Sequence, residues 1–198
     1  MNIKDLIPKK PKQKRSVRRF ENILDTVEEI ILTEGIHSVT IQKVSKVSKM
    51  KRPTIYKLFP SNESLFFGLS ERHINQFNQL YENNSEGVRI KDPDWYMNLF
   101  VDLLAIYLNQ NKACARIFFF LNSLPKSSFV NDQNKRLIAT IVINTFDQKD
   151  IKIEKDKLYI ASQICLSTLA ISFNEENCIS PSYINEAKKA VKAYLSTA

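Results

Sequence analysis

TIQKVSKVSKMKRPTIYKLFP, residues 40–60, is the stretch that decides the fold of this chain. Thr40 is a good N-cap residue, because its hydroxyl can accept a hydrogen bond from a free amide of a first helical turn. Apolar side chains then recur at spacings of three: Ile41, Val44 and Val47. This spacing predicts one face of a short helix. Pro53 predicts the start of a second helix, since its missing N–H costs nothing in a first turn.

The second helix combines an apolar stripe with an outward face made of hydrogen-bond donors. The stripe is formed by Ile55, Leu58 and Phe59, and Pro60 ends the helix. The outward residues all donate hydrogen bonds and none is acidic: Lys51, Arg52, Thr54, Tyr56 and Lys57. A short helix with such a face suits the major groove of DNA, with phosphates on either side.

These motifs closely resemble the helix-turn-helix of the TetR family of bacterial transcriptional regulators. The resemblance runs from about residue 17 to about residue 67. Its elements are a first helix ending in Glu34-Gly35, then Thr40-Ile41, the run TIYKLFP at 54–60, and SNESL at 61–65 opening the next helix.

Three residues depart from the family pattern. Lys49 stands where the family usually has the turn glycine, and Pro53 stands where it often has glycine. Asn62 replaces a common lysine that looks toward phosphate in relatives. A non-glycine residue in a left-handed turn costs roughly 1 kcal/mol. Lys49 therefore predicts either a small strain or a slightly different turn.

The resemblance implies an all-α fold of about nine helices. A three-helix DNA-binding domain over residues 16–62, with its helix-turn-helix at 40–60, would precede a helical effector-binding and dimerisation domain over residues 63–198. Position and resemblance together select the following DNA-binding residues: Arg18, Thr40, Gln42, Lys51, Arg52, Pro53, Thr54, Tyr56 and Lys57.

The charge lies where this interpretation needs it. Residues 1–60 hold 14 Lys and Arg against 6 Asp and Glu, whereas residues 61–198 hold 15 of each. The whole net charge of +8 therefore sits beside the helix-turn-helix, where it attracts the DNA polyanion through counterion release.

Residues 1–15, MNIKDLIPKKPKQKR, contain two prolines, six cations and little that could pack. This composition predicts a disordered basic arm. Two interpretations stay open. The arm could lie along DNA or enter the minor groove, or it could be a tail that only raises the association rate or the solubility.

The remaining chain contains long amphipathic stretches without strand-like alternation. Residues 82–93 read as a loop, and helices are predicted at about 61–81, 94–110, 112–124, 129–146, 155–174 and 181–195. Family members bind a small molecule in this domain. Aromatic and polar residues could line such a pocket for a small hydrophobic or aromatic effector, although aromatic residues at helical spacing also suit a plain core: Trp95, Tyr96, Phe100, Tyr107, Phe118, Phe119, Tyr159 and Gln163. Asp102 could meet a cationic ligand or lie on a solvated stripe.

The last two helices carry more apolar surface than one small domain can cover, which predicts a homodimer through a four-helix interface. The family resemblance agrees with this arrangement. The alternative is that both faces pack within one chain. The predicted interface residues lie on these two helices: Leu169, Phe173, Tyr183, Ile184, Ala187, Ala190, Val191 and Tyr194.

Several function classes are disfavoured. Three separated cysteines without a CxxC motif indicate neither a disulfide framework nor a metal site. Neither a catalytic constellation nor a phosphate-cradling glycine loop stands out, so no enzyme and no cofactor are expected. A signal peptide and a membrane span are also not indicated, which predicts a cytoplasmic protein.

The sequence thus predicts a homodimeric, sequence-specific DNA-binding regulator, acting as a repressor released by a small-molecule effector. The alternative is an architectural protein that coats DNA without an effector.

Overall fold

The computed structural model describes residues 5–120 and 128–196 of the chain. Over these ranges the regular elements are nine α-helices and one 3-10 turn at Ile36–Ser38. The helices are α1 (Lys14–Glu34), α2 (Ile41–Ser48), α3 (Arg52–Leu58), α4 (Asn62–Ser85), α5 (Pro93–Gln110), α6 (Lys112–Phe120), α7 (Ser128–Gln148), α8 (Lys155–Glu176) and α9 (Pro181–Ser196). The predicted all-α fold is confirmed. The predicted helix end at residues 124–125 and the first four residues of the predicted arm lie outside the described ranges.

Most helix ends follow the local signals in the sequence. Gly35 ends α1 with a positive φ of 88°, a conformation that costs glycine little. Ser61 and Ser64 form a reciprocal capping box at the start of α4, because each side-chain oxygen accepts from the other's backbone N–H at 3.1–3.2 Å. Pro181 opens α9 as expected.

Helix α4 is longer than predicted and takes the first residues of the expected loop. Its last turn is polar, and these side chains bond back to their own helix. Asn84 Nδ2 donates to the Leu80 carbonyl at 2.8 Å, and Ser85 Oγ donates to the Glu82 carbonyl at 3.1 Å. Local hydrogen bonds therefore extend a helix that the apolar pattern ends at Tyr81.

The chain divides into two compact units. The first comprises residues 1–73 and 112–134, and the second comprises residues 74–111 and 135–198. The predicted domain boundary at residue 62 falls at the start of α4, whereas the first unit continues along α4 and also takes in α6. Arg116 of α6 contributes to this grouping, since its Nη1 donates to the last carbonyls of α1, Ile31 at 2.6 Å and Leu32 at 3.2 Å.

In the first unit, α1 supplies the central apolar stripe and packs on α2, α6 and the 3-10 turn. The stripe residues are at most 1% exposed: Ile23, Leu24, Val27, Ile30 and Ile31. Burying side chains of this size stabilises the unit by about 1.5–3 kcal/mol each before conformational entropy is counted. These five residues recur at helical spacing, which places them on one face of α1.

An ionic cluster joins α1 to α4 on the other side of α1. Three carboxylates at helical spacing converge on the Arg72 guanidinium: Glu21 at 3.5 Å, Asp25 at 2.6 Å and Glu28 at 2.5 Å. Buried His73 lies 3.4 Å from the Glu28 carboxylate. Pairing with His73 and Arg72 lowers the pKa of Glu28 below its ordinary value.

Residues 5–13, called the N-terminal segment below, correct the prediction of a disordered arm over 1–15. Leu6 and Pro8 are buried, and Lys9 N donates to the Leu58 carbonyl at 2.7 Å. The Asp5 carbonyl accepts from Ser61 Oγ at 2.7 Å. The short apolar run Leu6-Ile7-Pro8 explains the difference, because two of its side chains bury against the unit despite the basic residues around them.

The second unit is built from α5, α8, α9 and the adjoining parts of α4 and α7, with α8 and α9 in the most extensive contact. An aromatic cluster of Phe77, Tyr81 and Phe100 fills its interior, with centroid separations of 5.7–6.4 Å. Tyr81 donates its phenolic proton to the Tyr96 carbonyl at 3.1 Å, and burial raises the pKa of Tyr81.

Cys114 and Cys165 are buried, while Cys178 is half-exposed. Burial raises the pKa of Cys165 to about 12. Among the described helices, none is both long enough and apolar enough to cross a membrane.

We expect Gly68→Ala to destabilise the first unit, although alanine is ordinarily about 1 kcal/mol better than glycine within a helix. A Cβ at Gly68 would lie 2.9 Å from Cε1 of Phe59 and 3.3 Å from Leu24 Cδ2. Both neighbours are buried, so the ring has little freedom to move away. Overpacking of this kind costs about 1–3 kcal/mol, which urea unfolding would measure.

The matched control is Asn75→Ala, at an exposed position of the same helix. This variant should be neutral or slightly stabilised. A gain of stability in Gly68→Ala would show that Phe59 is not packed against α4.

Candidate DNA-binding site

Helix α2 begins at a doubly capped N-terminus. Thr40 Oγ1 accepts from Lys43 N at 3.1 Å, as predicted, and Asn62 Oδ1 accepts from Ile41 N at 2.9 Å. Asn62 thus satisfies a first-turn amide that α2 cannot satisfy itself. In this chain Asn62 is committed to holding α2 against the start of α4, which gives a structural reason for asparagine at this position.

The turn between the two helices adopts the strained conformation. Lys49 has φ 56° and ψ 21°, which is left-handed, so the first of the two predicted alternatives is correct. Serine side chains hold this turn in place. Ser45 Oγ donates to the Met50 carbonyl at 2.7 Å, and Ser48 Oγ donates to the Val44 carbonyl at 2.6 Å.

Helix α3 is held from below by two fully buried side chains. Ile55 and Phe59 are both 0% exposed. The Phe59 ring stacks on Phe20 of α1, with centroids 4.6 Å apart and an interplanar angle of 25°. Since the two inward residues are fixed, the opposite side of α3 is fixed as an outward surface.

The outward surface of α3 carries the predicted donors. Lys51, Arg52, Pro53, Tyr56 and Lys57 are exposed, and Thr54 is half-buried. Tyr56 is 50% exposed, an unusual environment for an aromatic ring without a partner surface. Helix α3 contains no acidic residue, so its outward surface is cationic and rich in donors.

The remaining predicted DNA-binding residues lie at the starts of α2 and α1. Gln42 and Arg18 are exposed, and Thr40 is half-buried. The Thr40 hydroxyl already accepts from Lys43 N, and its proton stays available for donation to a phosphate. Lys43 is held by Glu34 at 2.6 Å, so its charge is partly compensated.

The predicted effector-binding residues are distributed over both compact units. Phe118 and Phe119 lie on α6 in the first unit, and the other six lie in the second. Tyr96 and Phe100 are fully buried core residues, and Tyr107 donates to Gln76 Oε1 at 2.8 Å. Trp95, Tyr159 and Gln163 stay half-exposed.

The two described clefts lie elsewhere in the second unit. One has a volume of about 620 Å³ and includes Ile160 and Tyr194, and the other measures about 430 Å³ and includes Phe146 and Ile151. None of the eight predicted effector-binding residues lines either cleft. The assignment of these residues to a pocket stays a prediction.

The Asp102 side chain is 45% exposed, which agrees with the second sequence interpretation, and it also forms an ion pair. Its carboxylate pairs with Lys188 of α9 at 2.6 Å. One turn further along α9, Lys192 pairs with Asp94 at 2.7 Å, and this hydrogen bond raises the pKa of Lys192. The two pairs link α5 to α9.

Four of the eight predicted interface residues are buried within one chain. Leu169, Phe173, Ala187 and Val191 are at most 1% exposed, because α8 and α9 pack on each other within one chain. Of the predicted set, Tyr183, Ile184, Ala190 and Tyr194 are half-exposed.

An exposed apolar row on α8 was not predicted from the sequence. Ile160 and Ile171 are 43% and 49% exposed, with half-buried Ile164 between them. Spacings of four and seven residues place these three side chains on one face of the helix. A helical wheel of the α8 sequence would have separated these three residues from the buried residues of the same helix.

We expect Lys49→Gly to stabilise the first unit by about 0.5–1 kcal/mol. A left-handed non-glycine residue costs about 1–2 kcal/mol, and glycine removes this cost. Glycine also gives the unfolded chain more conformational freedom, which offsets roughly 0.5–1 kcal/mol of the stabilisation. Urea unfolding would measure the difference.

The control is Lys46→Gly, which removes the same charge from an exposed right-handed position in α2. This variant should lose roughly 0.5–1 kcal/mol. Equal destabilisation by both substitutions would contradict the left-handed conformation of Lys49.

Comparison with known proteins identifies this arrangement. Residues 23–69 match the family model for bacterial regulatory proteins of the tetR family. A search of curated proteins gave no significant match. A TetR-family transcriptional regulator from Streptomyces coelicolor has a TM-score of 0.69 at 12% identity, covering 89% of this chain and 97% of that one.

Two further solved structures share the fold over nearly the whole chain. The multidrug binding protein EbrR, complexed with imidazole, has a TM-score of 0.68 at 10% identity, covering 97% of this chain and 98% of its own. The fatty acid degradation regulator FadR from Bacillus halodurans has a TM-score of 0.66 at 14% identity, with coverages of 95% and 98%.

The matched residues contain the capped α2, the left-handed turn and the donor-bearing α3, and the neighbours share the fold of the whole chain. Residues 23–69 therefore carry the helix-turn-helix region of the tetR family of bacterial regulatory proteins, and the chain shares the fold of a solved TetR-family regulator.

Proposed function

We propose that this protein is a homodimeric, sequence-specific DNA-binding repressor in the cytoplasm, released from its operator by a small-molecule effector. The observation that carries the proposal is the outward surface of α3, where exposed donors and cations stand opposite the buried Ile55 and Phe59. Residues 16–62 are the proposed DNA-binding domain, and residues 63–198 are the proposed effector-binding and dimerisation domain.

The exposed residues divide by position into two roles. Arg52, Thr54 and Lys51 stand at the start of α3, so we assign them to base edges or to phosphates beside those bases. Arginine suits guanine because its two N–H groups match the acceptors in the major groove. Four residues that flank this group would anchor the DNA backbone: Thr40, Gln42, Tyr56 and Lys57.

A small hydrophobic or aromatic effector is proposed for the second unit. Support comes from the half-exposed Trp95, Tyr159 and Gln163, which offer ring faces and an amide. The neighbour EbrR is a multidrug binding protein solved in complex with imidazole, an aromatic heterocycle, which supports an effector of this class. The effector would act by binding more tightly to a conformation that holds DNA less well.

Dimerisation is proposed through α8 and α9, with the interface moved from the buried residues to the exposed row. Ile160, Ile164 and Ile171 supply the apolar surface on α8, and Tyr183 and Tyr194 are half-exposed on α9. Two copies related by a two-fold axis would bury this row and present two α3 helices to half-sites one or more helical turns apart.

We expect Tyr56→Phe and Lys57→Ala to weaken binding to all DNA sequences, because both residues would contact phosphates. Arg52→Ala should in addition relax sequence preference by about 1–3 kcal/mol. Fluorescence anisotropy would compare the duplex upstream of the protein's own gene with a random duplex of equal length.

Arg89→Ala removes an arginine from an exposed position of the second unit and serves as the control, with no change expected. A preference of roughly 10³-fold by the unaltered protein marks a specific regulator. Equal losses on both duplexes for Arg52→Ala would refute its base-reading role. A steep salt dependence without any preference would favour the architectural alternative.

We expect Ile171→Glu to convert the dimer into a monomer, because a charge would enter the centre of an apolar contact. Sedimentation equilibrium measures the change in molecular mass. Ile106→Glu on α5 provides a closely matched control, since Ile106 is 48% exposed and Ile171 is 49% exposed. A dimer that persists in Ile171→Glu, or that is lost equally in both variants, would contradict the proposed interface.

A further inference from the structure

Three kinds of interaction hold the N-terminal segment against the rest of the first unit: apolar burial, hydrogen bonds and an ion pair. Leu6 is 6% exposed and Pro8 is buried, so the segment has an apolar anchor. Backbone and hydroxyl hydrogen bonds follow, from Lys9 N to the Leu58 carbonyl and from Ser61 Oγ to the Asp5 carbonyl, both at 2.7 Å. An ion pair between Lys10 and Glu71 at 2.6 Å adds a link to α4.

The attachment places basic residues beside α3. Leu58 is the last residue of α3, so the bond from Lys9 N sets the Lys9 backbone against the end of that helix. The residue before Leu58, Lys57, is exposed and cationic, and Lys9 is exposed as well. Lys9 and Lys57 therefore extend one cationic surface beyond the end of α3.

The charge continues from the segment into the first turns of α1. Lys12, Lys14, Arg15 and Arg18 are all exposed, and the first turn of α1 contains no acidic residue. The acidic residues further along α1 at 21, 25 and 28 are bound by Arg72. Lys10 is compensated by Glu71, which distinguishes it from Lys9 and Lys12.

We propose that the N-terminal segment is a second DNA-backbone-binding element, fixed to the helix-turn-helix, in which Lys9 and Lys12 bind phosphates flanking those contacted by α3. The inference rests on the proposed DNA-binding function and adds a site outside the helix-turn-helix. Its ligand is the phosphodiester backbone, since ammonium groups on a backbone-anchored segment offer charge without a base-reading geometry.

Anchoring changes the energetics of such a contact. A disordered arm loses conformational entropy when it settles on DNA, and this loss is substantial for each backbone residue that becomes fixed. The N-terminal segment has already lost that entropy on folding, because Leu6 and the Lys9–Leu58 bond hold it in place. Its lysines therefore add electrostatic affinity at little further ordering cost.

The test is the salt dependence of binding to a random-sequence duplex, for which no operator needs to be known. The double variant Lys9→Gln/Lys12→Gln leaves the Lys9 backbone N–H intact. For each phosphate that a protomer no longer neutralises, the slope of log K against log salt should become shallower by about 0.9. Affinity for specific and random duplexes should fall by the same factor, because phosphates carry no sequence information.

The matched control is Lys91→Gln/Lys152→Gln, which removes the same charge from exposed positions of the second unit. This pair should leave the slope unchanged. An unchanged slope in Lys9→Gln/Lys12→Gln, or an equal change in both pairs, overturns the proposal while leaving the proposed function intact. Failure of the proposed function would instead appear as an absence of DNA binding by the unaltered protein.

A third variant separates a fixed element from a loose tail that happens to be basic. Leu6→Ala keeps every charge but removes the apolar anchor, and binding is measured well below its unfolding temperature. We expect its affinity for the random duplex to fall. Affinity and slope identical to those of the unaltered protein would show that attachment is irrelevant, which overturns the fixed-element inference.

Discussion

The position of α3 depends on one buried contact, the stack of Phe59 on Phe20. A helix of seven residues is only about 10 Å long, and helices this short are not stable alone in water. Its orientation must therefore come from tertiary packing. Ile55 and Phe59 supply that packing at 0% exposure, and Gly68 of α4 leaves the space that the Phe59 ring occupies. Everything that α3 presents outward follows from these inward contacts.

Charge in the first unit is divided between holding the fold and facing solvent. Glu21, Asp25 and Glu28 converge on Arg72. The side chain of that arginine is 16% exposed, so salt screens its charge less than it would screen a fully exposed one. The acidic side chains of α1 are thereby drawn toward α4, while α3 keeps its cations free of acidic neighbours in sequence. A chain with modest net charge can in this way present a strongly basic surface.

The second unit illustrates the same separation for apolar groups. The contact between α8 and α9 within one chain buries four apolar side chains: Leu169, Phe173, Ala187 and Val191. The row of isoleucines on α8 stays exposed in the single chain. Ion pairs through Lys188 and Lys192 link α9 to α5. Apolar periodicity alone does not distinguish the residues buried within one chain from the exposed row, because both faces of α8 are apolar.

The helices, the helix-turn-helix and the donor surface of α3 were predictable from the amino-acid sequence. Each rests on local signals, namely the spacing of apolar residues, proline at a first turn and capping by Thr40. Tertiary structure alone decided the attachment of residues 5–13, the capping of α2 by Asn62, the pairing of Asp102 and the free face of α8. These depend on residues brought together from positions about 20 to 90 apart in the chain, and no local pattern specifies which distant groups will meet.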